Sequence, residues 1–283
     1  MAEASKAVLI TGCSSGIGRA TALALTASGW TVYATARRPE TLSELDAAGA
    51  RVLALDVTDE ASMRAAVQTV EREHGAVGVL VNNAGYSQSG AVETVPMTSV
   101  RRQFDTNVFG VVALTQLVLP GMRAQRFGKV VNVGSMGGRL TFPGGGIYHA
   151  TKYALEALSD ALRFEVRGFG IDVVLIEPGL IVTEFGEVAT ASMSGLDGPP
   201  DDPYATFNAS VGALTKGAYE GPMRRLGGGP ERVAKAIERA ISRKRAPSRV
   251  TVTPSAKLMI GTRRLMSDRA WDVAMRGQFP QPG

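Results

Sequence analysis

Near its start the chain reads Ala7-Val8-Leu9-Ile10-Thr11-Gly12-Cys13-Ser14-Ser15-Gly16-Ile17-Gly18. Four apolar residues suit a strand buried on both faces, and the glycine-spaced loop after them opens onto a helical pattern over residues 17–28. In that order, strand, turn and helix aim backbone amides and the positive helix end at a phosphate, and glycines let the backbone approach it. The spacing is Gly-x-x-x-Gly-x-Gly, where the commoner dinucleotide turn has Gly-x-Gly-x-x-Gly. Cys13 inside the loop reads as a small filler, not a nucleophile.

The same alternation runs down the chain. Strands are predicted over residues 7–11, 31–35, 51–55, 79–82, 129–133, 172–176 and 249–252. Helices are predicted over 17–28, 60–74, 98–125, 148–166 and 231–242. Most strand runs are continuously apolar, which suits a parallel sheet covered on both sides. The βαβα order therefore predicts an α/β fold: a single-domain, doubly wound Rossmann fold over residues 1–283, with a seven-stranded parallel sheet and helices on both faces. The stretch of about 179–229 is rich in Gly, Ser and Pro and reads as a substrate loop or lid insertion, with a helix predicted over 204–219.

Composition narrows the classes. With 283 residues, 45% hydrophobic and 20% charged, the chain is a folded globule. One cysteine cannot form an internal disulfide or a Cys-based zinc site, and two histidines, His74 and His149, do not suggest a metal centre. There is no secretory pattern, and the apolar runs fall short of the ~20 residues of a spanning helix, so a soluble, cytoplasmic protein is expected. The formal net charge of +5 is unevenly spread. Residues 1–222 carry 17 basic and 22 acidic side chains, whereas 223–283 carry 14 and 4.

The chemistry concentrates at Tyr148-His149-Ala150-Thr151-Lys152. On a helix, positions i and i+4 share a face, so phenol and ammonium enter the same cleft. A neighbouring cation stabilises the phenolate, and lowering its pKa by roughly three units requires about 4 kcal/mol. Ser135 follows the fifth strand, at the carboxyl end of the sheet where α/β ligands sit. After the second strand come Arg37 and Arg38, with no carboxylate before Glu40. Arginine suits a 2′-phosphate, so NADP(H) is favoured over NAD(H). Asp56 and Val57 end the third strand, placed either to meet an adenine ring or, for Asp56, to cap the next turn.

These elements together resemble the short-chain dehydrogenase/reductase family over nearly all of residues 5–255. The matching positions are Thr11 to Gly18, Asp56, Asn82-Asn83-Ala84-Gly85, Asn107, Ser135, Tyr148 with Lys152, and Pro178-Gly179 with Thr183. The resemblance implies that Gly12, Ser14, Ser15, Gly16, Ile17 and Gly18 hold the pyrophosphate. It implies that Ser135 binds the substrate oxygen and that Tyr148 passes it a proton, or removes one, as hydride moves. Lys152 would lower the Tyr148 pKa and hold the nicotinamide ribose, and Asn107 would keep a relay water by bending its helix. Asn83, Ala84 and Gly85 would stabilise the sheet and pass beneath the adenine ribose, with the alternative that Asn82 and Asn83 simply satisfy backbone groups between strands. Pro178, Gly179, Ile181 and Thr183 would close over the nicotinamide.

Within the family, the first two βα turns resemble members acting on retinoids, steroids and other lipophilic alcohols or ketones. The expected substrate is therefore a small-molecule alcohol or ketone. The alternatives are a 3-oxoacyl thioester reductase and a catalytically silent cofactor-binding protein. Family likeness implies a homodimer or homotetramer through the helices over 98–125 and 148–166.

Two departures stand out. Some NADP-preferring relatives carry a base where this chain has Ser14 and Ser15, and the basic extension of about 254–283 matches no general family element. Its Arg263-Arg264, with Arg243-Lys244-Arg245 and Arg249, reads as a solvated face or subunit contact, with an anionic membrane surface as the alternative. Nothing in it resembles a nucleic-acid motif. His149 points away from Tyr148 and is expected to pack or to line the substrate site. Phe142, Phe185, Met193, Tyr204, Phe207 and Met223 are expected to line an apolar pocket or to pack a lid.

Overall fold

In the computed structural model, which describes residues 4–193, 202–221 and 225–282, the opening strand is β1 (Val8–Ile10), buried throughout. Gly12 and Gly16 take positive φ, 71° and 54°, to turn the chain into α1 (Gly16–Ala27). There follow β2 (Val32–Ala36), the short α2 (Ser43–Ala47), β3 (Arg51–Ala54), α3 (Glu60–His74) and β4 (Val79–Asn82). Next come α4 (Met97–Phe104), α5 (Gly110–Gln125), β5 (Gly128–Val133), α6 (Gly146–Val166) and β6 (Ile171–Pro178). The chain ends through α7 (Phe185–Ala191), α8 (Ala205–Glu220), α9 (Pro230–Ile241), β7 (Arg249–Val252), α10 (Pro254–Leu265) and α11 (Asp268–Arg276).

All seven strands are parallel, in the order β3-β2-β1-β4-β5-β6-β7. Val8 is in register with Val32 on one side and Val79 on the other. The order reverses between β1 and β4, and the crevice such a reversal opens lies beyond the carboxyl ends of the strands. Alternate side chains serve opposite faces. Val8, Ile10, Val79 and Val81 pack with α1 and α9, whereas Leu9, Leu80, Val130 and Val173 pack with α3 and α5. Both faces are filled, so the strands read as unbroken apolar runs.

The helix expected over 98–125 is continuous but changes pitch. A π-helical turn, Asp105–Phe109, separates α4 from α5 and contains Asn107. By length and composition alone Met97–Gln125 could cross a membrane, contrary to the reading of the sequence. Leu114, Val118 and Met122 instead bury one face of it against the sheet, which makes it a core helix.

The insertion over 179–229 holds α7 and α8, and its two ends are tied together. Val182 donates to the Gly228 carbonyl at 2.9 Å, and Gly228 to the Leu180 carbonyl at 3.0 Å. The extension beyond residue 254 is not a tail. Ile260 of α10 and Trp271 and Met275 of α11 cluster on Leu140, and the Trp271 Nε1 donates to the Thr141 carbonyl at 3.1 Å. The solvated reading of the basic residues is corrected at two of them. Arg249 ion-pairs with Glu156 and Asp160, and Arg263 with Asp268.

Candidate active site

A cavity of about 1240 Å³ opens at the carboxyl ends of the strands. Gly12, Ser14, Ser15, Gly16 and Ile17 border it from the first turn, Arg37 from the end of β2, and Asp56 and Val57 from the end of β3. Asn83, Ala84 and Gly85 follow β4, Ser135 follows β5, Tyr148 and Lys152 come from α6, and Pro178, Gly179, Ile181 and Thr183 leave β6. The carboxyl ends of β1 to β6 thus meet in one hollow.

Three expected residues do not border it. A Cβ on Gly18 would stand 2.2 Å from the Gly12 carbonyl oxygen and 2.5 Å from Asn83 Nδ2, so this glycine lets the helix lie on the turn. Arg38 is exposed and begins a 3₁₀ turn, Pro39–Leu42, its carbonyl accepting from Thr41 Oγ1 at 2.7 Å. Asn107 is fully covered. Its Nδ2 donates to the Tyr86 carbonyl at 3.0 Å and to Thr151 Oγ1 at 3.1 Å, and its Oδ1 accepts from the Tyr86 amide at 3.2 Å. It joins the loop after β4 to α6 beside Lys152 and so acts on the site through other residues.

Asn83 meets backbone groups of the first turn and also faces the hollow. It borders the cavity, and its Nδ2 donates to the Thr11 and Gly12 carbonyls at 2.8 and 3.0 Å. Asp56 likewise borders the cavity while its Oδ1 accepts from the Thr58 amide at 2.9 Å, which is the capping bond. Cys13 is fully buried, and burial pushes its thiol up to about 12, so it stays a neutral filler.

Ser135 leaves β5 and accepts from the Gly137 amide at 3.0 Å, which fixes its oxygen in the turn. The Lys152 Nζ donates to the Val133 carbonyl at 2.9 Å and lies 5.7 Å from the Tyr148 ring centre. Burial lowers the Lys152 ammonium to about 8. Burial also pushes the Tyr148 phenol well above its ordinary value, a hydrogen bond with the Ser135 side chain opposes it, and Tyr219 pushes it further up. The net shift in the protein without cofactor is upward. In the protein alone desolvation outweighs the ammonium, and Tyr148 is a held proton at neutral pH.

His149 braces the loop that follows Ser135. One ring nitrogen, Nδ1, meets the Gly137 carbonyl at 2.9 Å, and Nε2 accepts from the Phe142 amide at 3.2 Å, which requires a neutral ring protonated on Nδ1. Burial lowers its pKa, which favours that form.

The far wall is apolar. Phe142, Phe185, Val188, Val211, Leu214, Met259 and Phe279 border it, and the Phe185 ring centre lies 5.6 Å from that of Tyr148. Met193, Tyr204 and Phe207 pack instead with Ala91 and Val211, and Met223 lies outside the described residues. Sequence reasoning missed Tyr219 of α8, which borders the cavity beside Gly186, and it missed Met259 and Phe279 of the extension. A phenol or an apolar residue in a segment without a motif gives no signal at long range.

A nucleotide-sized hollow thus lies at the reversal of strand order, with Ser135, Tyr148 and Lys152 at one end. The short chain dehydrogenase family model matches residues 6–194. The chain belongs to this family. As a short-chain dehydrogenase/reductase it is an NAD(P)-dependent oxidoreductase. It is 36% identical to the 3-ketodihydrosphingosine reductase of Bacteroides thetaiotaomicron over 271 residues, 95% of this chain and 96% of that one. A short-chain dehydrogenase from Streptomyces avermitilis superposes with a TM-score of 0.80 at 39% identity, covering 98% of this chain and 99% of that one. A serine dehydrogenase complexed with NADP+ gives 0.74 at 29% identity, covering 88% and 94%. A family member from Burkholderia phymatum in complex with NAD gives 0.77 at 25% identity, covering 100% and 99%.

Proposed function

We propose that this short-chain dehydrogenase/reductase reduces a lipophilic ketone, using NADPH, with Tyr148 as the proton donor. The observation that carries the reading is the convergence of Ser135, Tyr148 and Lys152 on a cavity whose far wall is apolar. A nicotinamide dinucleotide fits the near side. Ser15 caps α1 without a side-chain bond, so the first amides of that helix keep free donors facing the cavity. Gly12, Ser14, Ser15, Gly16 and Ile17 would hold the pyrophosphate, Asp56 and Val57 the adenine, and Asn83 to Gly85 its ribose. Lys152 would hold the nicotinamide ribose, and Pro178, Gly179, Ile181 and Thr183 would cover the ring. A nicotinamide bound there would be the source of the hydride for the carbonyl carbon.

The protein's own residues do the rest. Ser135 hydrogen-bonds the carbonyl oxygen and Tyr148 donates its proton as that oxygen gains charge. At neutral pH the Tyr148 phenol carries the proton that the proposed step consumes. Arg37, on the rim of the cavity, supports preference for a 2′-phosphate, with Arg38 beside it at the start of the following turn. The relative named for reduction of 3-ketodihydrosphingosine supports a ketone as substrate. Assembly as a homodimer or homotetramer is part of the same reading.

The test is a screen of lipophilic ketones with NADPH, read as loss of reduced cofactor, followed by Tyr148→Phe. Removing the proton donor is expected to lower kcat about 10²- to 10⁴-fold with NADPH affinity retained. A variant that turns over as fast as the wild type overturns the assignment.

A further inference from the structure

Behind Lys152, away from the cavity, two carboxyl groups are buried together. Glu156, one helical turn after Lys152 on α6, is 8% exposed, and Glu177, next to Pro178 at the end of β6, is 2% exposed. Four elements close around them. From the turn after Ser135, the Arg139 Nη1 reaches Glu177 Oε1 at 3.2 Å and Glu156 Oε2 at 3.8 Å. From β7, the Arg249 Nε donates to Glu156 Oε2 at 3.0 Å and lies 3.6 Å from Glu177 Oε1, while Thr251 Oγ1 donates to Glu177 Oε2 at 2.7 Å. On α6 itself, Asp160 binds Arg249 and Arg163, and Lys152 turns its ammonium away to the Val133 carbonyl.

One oxygen is left over. Among the described residues, the Glu156 Oε1 is buried and meets no hydrogen-bond donor. An ionised carboxylate oxygen in that position is costly, because its water is lost and nothing replaces it. A proton on the pair removes the cost and turns two facing acceptors into a donor and an acceptor. We propose that Glu156 and Glu177 share one proton at neutral pH, and that the protonated pair is a positioning element that holds the Ser135 turn against the Lys152 helix.

The packing shows what the pair would hold. A Cβ on Gly138 would stand 2.8 Å from the Lys152 carbonyl oxygen and 3.0 Å from Glu156 Cγ, so the turn that begins at Ser135 rests directly on α6 at these two residues. Arg139, the next residue, extends from that turn to Glu177. Burial first, and then the charge of Glu177, push the Glu156 carboxyl upward, to about 7, against the pull of Arg249. Asp160 is held low by its hydrogen bond to Arg249 and stays ionised. Because the Glu156 value is raised in the folded chain, the stability that the proton confers is full below the ordinary carboxylate range. It is lost as pH rises through about 7. Above that, the adjacent charges on α6 and β6 repel, and the turn tied to Glu177 through Arg139 shifts relative to α6 and Lys152.

This inference rests on the assignment of Ser135 and Lys152 to the reaction, and one arm of its test does not. Infrared spectroscopy of the wild type is expected to show the C=O band of a protonated carboxyl at about pH 6 that fades by about pH 8, and Glu156→Gln to lack it. In the kinetic arm, wild-type kcat/KM for ketone reduction falls about threefold or more across that range, while Glu156→Gln, a fixed mimic of the protonated form, stays within about twofold. No titrating band in the wild type, or superimposable pH profiles, overturns the proposal. Should Glu156→Gln fail to fold, Glu177→Gln replaces it. Without the neighbouring charge Glu156 ionises at lower pH, and a band that does not move counts against the pair. A titrating band in a protein without ketone reductase activity would leave the pair standing and strike the proposed reaction.

Discussion

Arg37 and Arg38 are adjacent and chemically identical, yet the backbone gives them different work. β2 delivers Arg37 to the cavity rim, whereas Arg38 opens the turn at Pro39 and does not border the cavity. A charge-assisted bond to phosphate contributes about 1.5 to 3 kcal/mol. Arg37→Asp is therefore expected to weaken NADPH binding about tenfold to a hundredfold and to leave NADH binding within about threefold, whereas Arg38→Asp changes both little. Fluorescence titration of the two cofactors against both variants checks this, and equal losses for the two arginines would contradict it. The sequence could place a basic pair at the end of β2 but could not say which member faced inward. Tyr148 gives the same lesson in energy. Its spacing from Lys152 is legible, and the direction of its pKa shift is not, because burial of the phenol is a property of the packed site.

At the scale of elements, what was legible had a strong local period or a motif at a strand end. The seven strands and the long helices declare themselves by unbroken apolar runs or by apolar spacing. α2 is five residues and α7 seven, too short for a period to emerge. α10 and α11 lie beyond the last motif, and their core contacts rest on a few residues such as Ile260, Trp271 and Met275. Those contacts matter for the site. The Trp271 ring centre lies 6.0 Å from that of Phe142, which borders the cavity and is in turn held by the His149 ring through its amide. Replacing a buried tryptophan with alanine costs about 3 to 5 kcal/mol. Trp271→Ala is expected to loosen the α10–α11 pair from Leu140 and so widen the apolar wall. KM for the best lipophilic ketone should rise at least about fivefold, while NADPH affinity stays within about twofold. Steady-state kinetics beside a cofactor titration separates this outcome from global unfolding, which would remove both.

Over the whole molecule, the basic excess of the last 61 residues turns out to be partly internal, since Arg249 and Arg263 are spent on carboxylates of the same chain. What the surface offers a partner is more apolar. Phe164 is 87% exposed and Tyr153 45%, both on α6. Their spacing of eleven residues puts them within about 20° of each other around the helix. The opposite side of α6 carries Lys152, Leu155 and Ser159 into the core, so the two aromatics, with Ala157 and Asp160 between them, face outward from the helix that holds the proposed proton donor. A large exposed aromatic on such a face is stabilised when a second copy covers it, and a charge there is desolvated at a cost when it is covered. Phe164→Asp is therefore expected to shift the protein to a smaller assembly in sedimentation velocity, with the fold unchanged by circular dichroism. Ser135, Tyr148 and Lys152 all come from one chain, so NADPH binding should survive the shift. A wild type that sediments as a monomer at all accessible concentrations would leave that face without the partner assigned to it.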